Sequence, residues 1–150
     1  MTEWAQFAEA LAEQLAQLPI GAIMKIIAVG PTGRFRFVQF AIGDDALVAE
    51  LTGDAYLDSI GRPTPEGRLR IIDAGWQLPD ADHVDNWWIE LPWPISSAVR
   101  HQLAAMVITG LRDGFDIPDP ASLVYDAWNS NDGNKSLILP SLSLTGIDAT

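Results

Sequence analysis

The chain of 150 residues contains no cysteine. That absence excludes disulfides, thiol nucleophiles and thiolate metal sites together. Long apolar runs are also missing. No window reaches the roughly 18 consecutive apolar residues that a membrane helix needs. Basic residues are scarce: nine Lys and Arg stand against twenty Asp and Glu, for a formal net charge of −11. Proteins bind nucleic acid and anionic lipid by displacing counterions with Lys and Arg, so neither is an expected partner. The first residues, "MTEWAQFAEALAEQLAQL", are acidic and amphipathic. They have neither the basic start nor the unbroken apolar stretch of a secretory signal, and the expected address is the cytoplasm.

Apolar residues make up 48% of the chain, enough to build a core, and the length suits a single domain spanning residues 1–150. No internal repeat, low-complexity linker or domain boundary is evident. The acidity serves solubility, and it also suits a basic partner segment.

Thr2 is a candidate helix cap, followed by Trp4, Phe7, Leu11, Leu15 and Leu18 at three- and four-residue spacing. This predicts an amphipathic helix over residues 3–18, ended by Pro19. Three strands follow: Ala22–Val29, Arg34–Ile42 and Ala46–Leu51. Short turn signals, "GPTG" and "GDD", separate them, which predicts an antiparallel meander. In the first, Ile23, Lys25 and Ile27 share a face opposite Met24 and Ile26. In the second, Arg34, Arg36, Val38 and Phe40 lie opposite Phe35, Phe37 and Gln39. Thr64, Pro65 and Gly75 delimit a short helix.

The stretch "NWWIELPWP", Asn86 to Pro94, predicts a fourth strand at a sheet edge, because Pro92 and Pro94 lack amide donors. Trp87, Ile89, Leu91 and Trp93 point to the core, and Trp88 falls with Asn86 and Glu90 on the opposite face. A second long helix is capped by Ser96 or Ser97, carries Val99, Leu103, Met106, Val107 and Leu111, and ends at Gly114. Asp119 and Pro120 open a third, with Leu123, Val124, Ala127 and Trp128. The tail supplies a short last strand and then frays.

Signatures of chemistry are weak. Asp80, Asp82, His83 and Asp85 could meet an ion, but their spacing lacks the glycine and closing glutamate of an EF-hand, and a solvated acidic loop is the ordinary reading. His83 and His101 are the two histidines, and no "GxSxG" elbow, P-loop or dinucleotide fingerprint accompanies them. Neither metal nor cofactor is expected, and a hydrolase with an unrecognised site is the least favoured class.

"RFVQF" (Arg36 to Phe40), "LVAEL", the "AGWQLP" to "NWW" segment and "LRDGFDIPDPASLVYDAW" (Leu111 to Trp128) occur in a recognisable order. With these, nearly the whole chain resembles the TY-Chap superfamily, which includes YbjN-like proteins, resembles class I chaperones of type III secretion, and has many actinobacterial members. The resemblance implies an α+β fold, a twisted antiparallel sheet packed by helices in the order α-β-β-β-α-β-β-α. It implies binding of peptide segments from client proteins, often as a homodimer, with no cofactor and no catalytic residues. One departure stands out: "DIPDPASLVYDAW" reads as helix where the resemblance implies a fifth strand. The expected partner-binding residues are Trp88, Phe40, Val38 and Arg36, on a sheet face not covered by the long helices, unless the connection from Thr52 to Pro63 or a second copy of the chain covers it. A small acidic immunity-type protein that neutralises a toxin is the alternative.

Overall fold

The computed structural model describes residues 3–29, 35–54, 57, 61–142 and 144–146. The Thr2 cap, the "GPTG" turn, Arg34, the end of the tail and part of the Thr52–Pro63 connection lie outside the described residues. The first helix, α1, runs Glu3–Leu15 and buries Trp4, Phe7, Leu11 and Leu15. It stops short of the expected Leu18. Ala16 and Gln17 instead donate to carbonyls three residues back, at 3.2 and 3.0 Å, and Leu18, directly before Pro19, is disfavoured in helical backbone.

Strands β1 (Ala22–Val29), β2 (Phe35–Ile42) and β3 (Ala46–Leu51) form the antiparallel meander. Helix α2 (Pro65–Ala74) has the expected ends. The Thr64 side chain accepts from the Gly67 amide, and Gly75 closes the helix with a φ of 117°. Next comes β4 (Trp87–Pro92), paired with β3 alone among the longer strands. Helix α3 (Ser97–Ile108) is capped by Ser96 and runs on into a π-helical turn, Thr109–Gly114. Gly67 of α2 meets Gly114 of that turn so closely that a Cβ on Gly67 would lie 2.3 Å from the Gly114 carbonyl oxygen.

The expected third helix is a strand, β5 (Leu123–Asn129), which pairs with β1 inside the sheet. The cap signal at Asp119 was sound, since its carboxylate accepts from the Ala121 amide, but it starts only a three-residue 3-10 turn. Leu123, Tyr125 and Ala127 then point into the core, while Val124, Asp126 and Trp128 take the other face. A strand with apolar residues on both faces mimics a helical stripe. Two-residue strands β6 (Lys135–Ser136) and β7 (Thr145–Gly146) complete a sheet ordered β4-β3-β2-β1-β5-β6, with β7 parallel to β5. The fold is thus the α+β sheet packed by helices that the resemblance implies, with α3 standing between β4 and β5 in the chain.

One face of the sheet carries the core. Met24, Ile26, Val38, Phe40, Ala49 and Leu51 have no exposed surface, and they cluster with Leu11, Leu15, Leu103, Val107 and Leu111 of the helices. The described part of the Thr52–Pro63 connection packs toward α2, where Asp54 pairs with Arg68 and Leu57 is buried.

Candidate functional site

Among the described residues the second face of the sheet carries no helix, and cross-strand register arranges it in three rows. One runs Trp128, Ile23, Ala41, Val48 and Glu90, from β5 to β4. The middle row is Asp126, Lys25, Gln39, Glu50 and Trp88. The third is Val124, Ile27 and Phe37. Two largely apolar rows therefore flank a polar one. Ile27 is buried by its neighbours, and the other side chains of these rows are half-buried, apart from exposed Glu90. The Lys25 ammonium lies 4.7 Å from the Phe37 ring centroid.

Trp88 sits on this face as expected, but the residues grouped with it do not. Val38 and Phe40 are fully buried against the helices. Arg36 is on their side too, donating to the Phe115 carbonyl at 3.1 Å, with burial lowering its pKa against the charge of Asp116. Trp88 pairs with Glu50, Glu50 with Gln39, and residues directly opposite across strands share a face. Phe37 and Gln39, not Val38 and Phe40, are therefore the β2 residues beside it. The clue lay in polarity. Lys25 and Gln39 interrupt one face in mid-strand, whereas Arg36 stands near a strand end.

The connection that reaches Trp88 is the acidic loop before β4. Its indole Nε1–H donates to the Leu78 carbonyl at 3.0 Å, and the His83 ring stacks on it with centroids 3.6 Å apart. Gln77 exchanges two backbone hydrogen bonds with Trp88, extending the sheet by one bridge. His83 places Nδ1 3.0 Å from Asp80 and Nε2 3.5 Å from Glu90. Partial burial disfavours the His83 charge, but hydrogen bonds to Asp80 and Glu90, and their charges, outweigh it and raise the pKa. The same hydrogen bond is the main cause holding the Asp80 carboxyl below its usual range. Asn86, itself buried, donates to Glu50 Oε1 at 2.8 Å and accepts from the Gly53 amide at 2.9 Å.

Both His83 nitrogens face carboxylates, and His101 lies between the Ser97 carbonyl and Glu9. Among the described residues no three His, Asp or Glu side chains are placed to share a metal ion, and no helix is long and apolar enough to cross a membrane.

Both sheet edges are partly paired. Beyond β5 lie β6, the Leu137 amide donating to Ala127, and β7. Beyond β4 lies Gln77, and Pro92 ends the strand.

Residues 1–129 match the model of TY-Chap3, described as T3SS (YopN, CesT) and YbjN peptide-binding chaperone 3. The chain belongs to this family. No curated protein and no solved structure gives a significant match. The family match ends at Asn129, the last residue of β5, so β6 and β7 lie beyond it. TY-Chap3 is a family of peptide-binding chaperones, which accords with a half-apolar sheet face.

Proposed function

We propose that this chain acts as a single, cytoplasmic, cofactor-free domain that binds a segment of a client protein by equilibrium contact, without catalysis. The client lies on the open sheet face, across Phe37, Ile23, Val48 and Trp128, with Trp88 at one end. The observation that carries this reading is the face itself, whose two largely apolar rows keep half-buried side chains, while β6 and β7 pair part of one edge and Gln77 pairs one residue of the other. The family match supports the client being a peptide. Nothing in that match favours the toxin-neutralising alternative.

Phe37→Asp and Val48→Asp test it. Each puts a charge on the open face without touching the helix-packed side. Pull-down from the native host followed by mass spectrometry should recover client with the wild type and lose it with either variant, at unchanged melting temperature. Retained capture by both would move the site elsewhere. A second copy of the chain competes for the same face. A dimer that Phe37→Asp dissociates in light scattering would assign the face to self-association.

A further inference from the structure

We propose that the Trp88 corner of this face selects a basic residue in the client, taking an arginine or lysine side chain on the part of the indole that the His83 ring leaves uncovered, within reach of Glu50 and Glu90. This rests on the client-binding reading above and adds the chemistry of the partner.

Glu50 lies directly across from Trp88, and Glu90 is two residues along the same strand, so both carboxylates share its face. Each is held. Asn86 fixes Glu50 through Oε1, and His83 approaches Glu90 through Oε2. The other oxygen of each accepts no hydrogen bond among the described residues. Trp88 is braced by the His83 stack and the Leu78 carbonyl, so its position does not depend on a ligand.

Lys25 is the basic residue in the three rows, and it stands two strands from Glu50, about 10 Å at ordinary strand spacing, beside Asp126. The Trp88 end therefore sets the carboxylates of Glu50, Glu90 and Asp80 against the single imidazole of His83, an acidic balance beside an aromatic ring, which attracts a cation by charge and by the ring quadrupole. The chain's net charge of −11 draws a basic segment toward it. The fitting client is an extended segment with apolar side chains for Phe37, Ile23 and Val48 and one cation for the corner.

Short synthetic peptides test this. One alternates leucine and serine with a central arginine, a second replaces the arginine by neutral citrulline, and a third by glutamate. In fluorescence anisotropy the wild type should bind the arginine peptide roughly five- to tenfold tighter than its citrulline twin, and the glutamate peptide most weakly. The arginine advantage should shrink in high salt. In the Glu50→Gln/Glu90→Gln double variant it should fall to near one. Equal wild-type affinities for arginine and citrulline, or an advantage that survives the double variant, would overturn the basic subsite and leave face binding standing. Phe37→Asp should weaken both peptides. If it weakens neither, or if the wild type binds no peptide, the face reading fails and the subsite with it.

Discussion

The imidazole of His83 lies parallel to the indole of Trp88, with 3.6 Å between centroids and 6° between planes. Through this stack the acidic loop and strand β4 become one unit, tied by Asp80 and Glu90 on either side of the imidazole. The raised His83 pKa means that the folded state binds its proton more tightly than the unfolded chain does. The proton's contribution is therefore full below the ordinary histidine value of about 6.5 and fades as pH rises through the raised one. The lowered Asp80 pKa acts oppositely, its contribution disappearing as pH falls through the acid range. The clasp should be firmest in mildly acidic solution. Proton NMR titration should give His83 an apparent pKa above 6.5, and Asp80→Asn should lower it. An ordinary value that Asp80→Asn leaves unmoved would contradict the clasp.

Adjacent tryptophans should differ sharply. Trp87 is 2% exposed within the core, whereas Trp88 lies on the open face. Trp87→Ala should cost about 3–5 kcal/mol in urea melts. Trp88→Ala should cost roughly 1 kcal/mol, chiefly by freeing the loop. Equal losses would mean that the open face is a second core.

Phe40→Ala should destabilise by about 3–5 kcal/mol, because the side chain is fully buried. Among variants that stay folded, its client affinity should match the wild type's, whereas Phe37→Asp abolishes binding. A folded Phe40→Ala protein that had lost its client would restore the expected grouping of Phe40 with Trp88.

The crossing of α2 and the π-helical turn should tolerate no side chain. Gly67→Ala would drive a methyl into the Gly114 carbonyl, which is backbone and cannot swing aside. Overpacking of this kind costs about 1–3 kcal/mol or more. Gly133→Ala is an instructive control, since its methyl would meet no atom within 4 Å and only its positive φ of 63° opposes it. A Gly67→Ala protein as stable as the wild type would show that the helices can separate.

Local signals explain what the sequence disclosed. The Thr64–Pro65 start and Gly75 stop of α2 are set by neighbouring backbone chemistry, and they appear as expected. The turn-bounded β-branched runs appear as β1 to β3 for the same reason. What failed depends on distant pairing. β5 is a strand because β1 supplies its hydrogen bonds across about a hundred residues of chain. The same dependence hid the site. Alternation fixes which residues of one strand share a face, but only register says which face of β2 adjoins Trp88. His83 could not be placed over Trp88 for a similar reason, since the bridge from Gln77 that returns the loop to β4 leaves no periodic trace.

The most direct test of open-face binding is a chemical-shift map of the protein with the arginine-bearing alternating peptide. The Trp88 and Trp128 indole signals and the Ile23 and Val48 methyl signals should move together on titration. The methyls of Leu11, Leu103 and Val107, behind the sheet, should stay still. Shifts confined to α1, β6 and β7, with the open-face signals unmoved, would contradict it.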